Sequence, residues 1–294
     1  MHGTSDLLAR VVGPAAKLRR LKRLATGGRR PPARRFHAYC VGAPKSGTHS
    51  IAKIFGGSYR AAHEAAYEPV IGMILAAADG SAGRDRLVEF IRSRDRSLGL
   101  EMEASHLLFY FLDILLAEFE EARFILTIRD CYSWLDSQIN NQLAYIEADH
   151  WKDFGEFKYR HEALRHPREE RVLAEFGLYT LDGYLSAWAS HNRRVLDAVP
   201  PHRLLVVRTR EISRDLQKIA DFVGVPADSL SAGGTHSFKA RRKFGLLSRL
   251  DEQYLEGKVN QHCRALMDAY FPEVKSFRAS QAPRTPAGKE DTSS

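Results

Sequence analysis

Residues 36–55 read FHAYCVGAPKSGTHSIAKIF, from Phe36 to Phe55. The run His37–Val41 is apolar and β-branched enough for a buried strand. Ala43-Pro44-Lys45-Ser46-Gly47-Thr48 follows as a loop of small residues, and Ile51, Ile54 and Phe55 then return at helical spacing. A strand that passes through such a loop into a helix start makes an anion cradle. The first N–H groups of a helix have no partner within it, and the helix dipole is positive there. Gly42 and Gly47 bracket the loop and Lys45 stands inside it.

The same alternation continues outward. Further strands are expected at Leu98–Met102, Phe124–Ile128 and Leu204–Val207. Helical periodicity appears across Leu107–Phe119, at Leu181/Leu185/Trp188, at Leu216/Ile219/Phe222/Val223 and at Leu266–Tyr270. A β-α-β-α order predicts an α/β three-layer sandwich: a central parallel sheet, helices on both faces, and a P-loop-like phosphate-binding loop. Residues 36–276 are expected to form that domain. Residues 145–179 mix charges of both signs with Trp151, Phe154, Phe157 and Tyr159, and read as either a substrate lid or a solvated surface subdomain. The tail 277–294 reads as disordered.

The chain has 294 residues and a formal net charge of +8, a value that suggests a nucleic-acid binder. The location of the charge argues otherwise. Residues 1–35 hold Arg10, Lys17, Arg19, Arg20, Lys22, Arg23, Arg29, Arg30, Arg34 and Arg35 against Asp6 alone, so the remainder is close to neutral. The basic character belongs to a flexible arm, at most a weak contact for an anionic membrane surface, and no nucleic-acid groove is expected. Three cysteines without paired spacing exclude a disulfide framework and a zinc site, and no metal is expected. With no apolar run near the ~18 residues of a membrane span and no signal-like N-terminus, a cytoplasmic location is expected.

The position of Lys45 limits the phosphate chemistry. Gly42-x4-Gly47 has the spacing of the Walker loop, yet Thr48 occupies the site of the Walker lysine, and Lys45 precedes the second glycine by two residues. Nor does a metal-binding carboxylate end the strand Phe124–Ile128, which runs into Arg129. A P-loop nucleotide kinase or triphosphatase is therefore the weaker alternative, and a basic-arm membrane or nucleic-acid binding protein is another.

The core Pro44 to Thr48 resembles the 5′-phosphosulfate loop of sulfotransferases that use 3′-phosphoadenosine-5′-phosphosulfate (PAPS) and release adenosine 3′,5′-bisphosphate (PAP). The resemblance implies transfer of a sulfuryl group to a hydroxyl or amine of a small-molecule, carbohydrate or lipid acceptor. It implies that Lys45 contacts the bridging oxygen and the sulfuryl group, and that Pro44, Ser46, Gly47, Thr48, His49 and Ser50 surround the 5′-phosphate. Ser50 stands where cytosolic members carry an adenine-stacking tryptophan. The family's 3′-phosphate motif, an arginine after a strand and a serine eight residues on, is matched by Arg129 and Ser137, with Ser133 as a competitor one turn away. By region alone, Phe238, Lys239, Arg241 and Arg242 correspond to the family's basic closing loop.

Such transfer needs a general base. One choice is His106, which follows the strand before Phe124–Ile128, as the family's catalytic histidine does. The other is the group His63, Glu64 and Glu68, since some carbohydrate sulfotransferases use an acidic base of the Glu-Pro form seen at Glu68-Pro69. Both choices stay open at this level.

Overall fold

The structure is a computed structural model that describes residues 32–144, 149–159, 164–234 and 243–281. Five strands form one sheet: β1 (Ala38–Cys40), β2 (Ala61–His63), β3 (Met102–Ala104), β4 (Arg123–Ile128) and β5 (Leu204–Arg208). Their order is β2-β3-β1-β4-β5, and every neighbouring pair is parallel. The α/β sandwich expected from the alternation is the architecture found. Parallel pairing requires each strand to return by a crossover, which the helices supply.

Those helices are α1 (Thr48–Phe55), α2 (Tyr67–Ala78), α3 (Arg84–Leu98), α4 (Leu112–Glu118), α5 (Cys131–Ala144), α6 (Asp149–Tyr159), α7 (Arg171–Glu175), α8 (Leu181–Ala198), α9 (Leu216–Val223), α10 (Glu252–His262), α11 (Arg264–Tyr270) and α12 (Phe277–Gln281). Side chains of a strand alternate between faces. On one face Tyr39, Phe124 and Leu126 pack with Val70, Ile71 and Ile74 of α2. On the other, Ala38, Cys40 and Ile125 pack with Ile51, Ile54 and Phe55 of α1 and with Ile219 and Val223 of α9. A third cluster around Trp134, Trp188 and Met267 joins α5, α8 and α11 beside Ile128.

Several expectations change. The strand expected at Leu98–Met102 starts only at Met102, because α3 runs through Leu98 and is closed by Gly99 at φ 54°. Strand β2, made of two alanines and a histidine, has none of the β-branched residues that mark strands in sequence. Arg34 and Arg35, counted with the arm, are tied to the domain. Arg34 grips the Asp95 carboxylate at 2.7 and 3.0 Å, and Arg35 grips buried Glu101 at 2.9 and 3.0 Å. The tail does not begin at 277 either. Phe277–Gln281 is helical, its Phe277 N–H donates to Glu256 at 2.8 Å, and the Phe277 ring meets Tyr132. Among the described residues no helix is long and apolar enough to cross a membrane.

Candidate active site

All five strands point the same way, so their carboxyl ends collect on one edge, where α/β sheets bind ligands. The loop 41–47 leaves β1 there, His63-Glu64 leaves β2, Ser105-His106 leaves β3, Arg129 leaves β4 and Thr209-Arg210 leaves β5. Register staggers them. Cys40, the last residue of β1, lies beside Ile125, so β4 runs three residues further, about 10 Å. That overhang carries Arg129 to the loop, where its Nη1 donates to the Lys45 carbonyl at 3.3 Å.

The loop is packed tightly. Ser46 Oγ donates to the Ala43 carbonyl at 2.6 Å and lies 2.9 Å from Thr127 Oγ1. Thr209 of the β5 end donates its hydroxyl to the Ser46 carbonyl. Lys45 itself is left-handed at φ 65°, a conformation costly for a residue with a Cβ and found mainly at functional sites. Gly47 stands at φ 111° just before α1. At Gly42 a Cβ would lie 2.0 Å from Thr127 Oγ1 and 2.6 Å from the Thr127 carbonyl. Gly42→Ala is therefore expected to destabilise the fold by about 1–3 kcal/mol through overpacking and to distort the loop. Thermal unfolding together with a titration of a bisphosphate nucleotide checks it; a wild-type melting temperature with wild-type binding would refute it.

Three anchors hold this loop and Arg129 from below, and sequence reasoning missed all of them. Buried Trp134 donates its indole N–H to the Pro44 carbonyl at 2.7 Å. Buried Trp188 donates to the Arg129 carbonyl at 3.2 Å. His191 stacks on Phe109 at 4.1 Å, and burial pushes its pKa down to about 3. It is thus neutral, and its Nε2–H donates to the Val41 carbonyl at 2.7 Å. A buried Trp or His needs a partner for its N–H, but apolar periodicity does not say which carbonyl that is.

The cationic half of the site is compact. Lys45 Nζ donates to Asn141 Oδ1 at 2.9 Å. Burial and the neighbouring Arg129 charge lower the Lys45 pKa to about 8, against the opposing pull of Glu64. Arg129 Nε donates to Ser133 Oγ at 2.9 Å, and Ser133 in turn donates to Asp130 at 2.5 Å. Asp130 Oδ1 also accepts the Ser133 N–H at 2.9 Å and so caps the start of α5. In this structure Ser133, not Ser137, is the serine bonded to Arg129. Ser137 is half-buried one turn further along α5, and Asn141 follows another turn on, so the three share a helix face. Arg129, Thr209 and Arg210 line one cleft, in which Arg210 further depresses the Arg129 guanidinium after burial has done so.

The other half gathers the base choices. Glu64 Oε1 lies 2.7 Å from His106 Nδ1 and 3.7 Å from His63 Nε2, and that same His63 nitrogen is 3.1 Å from Thr48 Oγ1. The rings of His49 and His63 meet edge to face at 5.2 Å. Burial pushes the Glu64 carboxyl up, but the combined pull of His106, His63 and His49 prevails and brings it to about 2. Glu64 is therefore a carboxylate at neutral pH. A carboxylate only accepts, so His106 Nδ1 must carry the proton, and the lone pair of neutral His106 lies on Nε2. Glu64 and Ala66 are themselves left-handed at φ 49° and 47°. Glu68 is not part of this set; it is exposed in the first turn of α2, against Tyr67. Ser50 is buried on α1. Phe238, Lys239, Arg241 and Arg242 lie outside the described residues.

The family model described as "Sulfotransferase domain" matches residues 39–230. A relative from Aspergillus versicolor, "Ava biosynthesis cluster protein M", is 33% identical over an alignment of 103 residues that covers 33% of this chain and 40% of that protein. The match thus spans well under two thirds of the relative's length. Among solved structures, a sulfotransferase from Alicyclobacillus acidocaldarius superposes with a TM-score of 0.41 at 17% identity, covering 80% of this chain and 96% of that one. The sulfotransferase domain of the Synechococcus PCC 7002 olefin synthase gives 0.39 at 16% identity, over 88% and 93%.

Proposed function

The chain belongs to the sulfotransferase domain family, and from that premise we propose that it transfers the sulfuryl group of PAPS to an acceptor hydroxyl, with His106 as general base. One observation carries the donor assignment: the Arg129 guanidinium is bonded to the backbone of Lys45, so the two cations form one unit at the carboxyl edge. Arg129 depresses the Lys45 ammonium and Arg210 depresses the buried Arg129, so the cluster of cations is well matched to a polyanion. The group fits the residues present. Lys45 and the first turn of α1 would hold the 5′-phosphosulfate, and Arg129 with Ser133 or Ser137 the 3′-phosphate. Arg210, across the cleft, adds a further cation.

When bound, PAPS supplies an activated sulfuryl group on a phosphate leaving group. The residues supply the rest. His106 Nε2 takes the proton from the acceptor hydroxyl, worth about 10²–10⁴-fold. Glu64 holds the tautomer and stabilises the imidazolium that forms, as the carboxylate does in a serine-hydrolase triad. Lys45 meets the negative charge that develops at the phosphate side.

Binding of PAP by calorimetry tests the donor half. The wild type should bind PAP without Mg²⁺, and Arg129→Ala should weaken binding about 10–100-fold, the value of a hydrogen bond to a charged group. The pH dependence has a defined sign. The anion selects charged Lys45, whose pKa in the free protein lies at about 8. Affinity should be level below that pH and fall as pH rises through it, approaching tenfold per unit with uptake of up to one proton. Titrations in two buffers of different ionisation enthalpy read that proton directly. Tight ATP–Mg²⁺ binding with no PAP binding would overturn the assignment in favour of a nucleotide kinase.

A further inference from the structure

The acceptor side of His106 has a composition unlike the donor side. Trp151 of α6 lies nearly parallel to the His106 ring, with centroids 5.9 Å apart, and stacks on Tyr67 at 5.3 Å and 27°. Phe154, one turn further along α6, also meets His106 at 5.9 Å and joins Tyr110 at 5.5 Å. Phe157 continues the strip, 5.5 Å from Tyr110 and 36% exposed. Tyr67, Tyr110 and Trp151 are half-buried. A continuous aromatic wall thus borders the base.

We propose that the acceptor is an uncharged planar phenol-type hydroxyl compound, received against the wall of Tyr67, Tyr110, Trp151 and Phe157 and deprotonated by His106. The proposal rests on the sulfotransferase reading above. Two arguments support it. First, the wall residues carry no charge, their charged neighbours Glu68, against Tyr67, and Arg194, near Tyr110, are of opposite sign, and Glu64 is already engaged by His106 and His63. A sugar would bury several hydroxyls against ring faces, each costing about 1–3 kcal/mol without a partner, whereas a flat aromatic gains offset stacking. Second, acidity matches the base. A phenolic hydroxyl ionises near pKa ~10, an ordinary alcohol only near the ~15.7 of water, and an imidazole base has far less deficit to overcome for the former. In the transfer, His106 Nε2 takes the phenol proton as the new O–S bond forms. The S–O bond to the donor's 5′-phosphate breaks, and its electron pair leaves on the phosphate oxygen.

The test titrates the protein, with and without PAP, with 2-naphthol, methyl β-glucopyranoside and 1-decanol by calorimetry, and measures transfer from PAPS to each. Naphthol should bind and be sulfated with kcat/KM at least about tenfold above the other two. Trp151→Ala should weaken naphthol binding about 2–10-fold, the range expected for one lost aromatic contact, and leave the Kd for PAP unchanged. Trp151→Phe should restore most of the affinity, which separates a stacking role from a folding defect. Preference for the glucoside or decanol, no naphthol binding, or an unaltered naphthol Kd in Trp151→Ala would overturn the proposal. Naphthol binding by a protein that does not bind PAP would support the acceptor wall and overturn the donor assignment instead.

Discussion

Lys45→Ala is expected to lower kcat by about 10²–10³ while weakening PAP binding only about tenfold. The asymmetry follows from where charge moves. On the proposed donor site, the ground-state phosphate charge would be shared among Lys45, the first turn of α1 and Arg129, so loss of one ammonium would be partly covered. In the transition state negative charge grows on the phosphate oxygen that leaves, and a preorganised cation at that point has no substitute. Lys45 is preorganised by its left-handed backbone and by the 2.9 Å bond to Asn141. Steady-state kinetics with PAPS, set against calorimetry with PAP, separates the two effects. Equal losses in kcat and in PAP affinity would mean that Lys45 only binds. Lys45→Arg should not rescue, because a larger guanidinium must share the pocket with Arg129.

The parts of this site that were legible in sequence are those with local signatures. The strand–loop–helix at 36–55 could be read because glycine, proline and a lysine at fixed offsets have one economical arrangement. Arg129 could be read because the largely apolar run Phe124–Ile128 leads straight into it. The sheet's carboxyl edge then brought these together without further information, since parallel strands leave no other choice. What stayed hidden is what depends on side chains meeting across the fold. Asn141 looks like one of many polar residues on a helix, and only the packing of α5 against the loop aims it at Lys45. Ser133, held as the competitor of Ser137, meets Arg129 because Asp130 caps α5 through Ser133 and turns its hydroxyl toward the guanidinium. Strand β2 went unseen because it is two alanines and a histidine with no β-branched residue, and the consequence was large: it is the strand that delivers Glu64 to His106. Residues 145–179, held as lid or surface, place Trp151 of α6 on the base itself.

Of the base choices left open by the sequence, His106, Glu64 and His63 meet in one connected set and Glu68 does not, and the four are expected to respond unequally. His106→Ala should lower kcat by about 10²–10⁴ with PAP binding unchanged, because the proton transfer is lost and nothing in the cationic half is touched. Glu64→Gln should cost less, since an amide oxygen still accepts from Nδ1 but no longer carries the charge that stabilises the imidazolium. His63→Ala should have the smallest effect of the three. At 3.7 Å from Glu64 and bonded to Thr48, it supports the carboxylate and the helix start rather than the acceptor. Glu68→Gln, in an exposed first turn, should behave as wild type. The double variant of His106 and Glu64 is the sharpest case. If Glu64 acts only through His106, the pair should lose little more than His106→Ala alone, because a carboxylate that orients an absent imidazole has no remaining role. Additive losses in the double variant would instead make Glu64 a base in its own right, and a larger loss in His63→Ala than in His106→Ala would move the proton acceptor to β2.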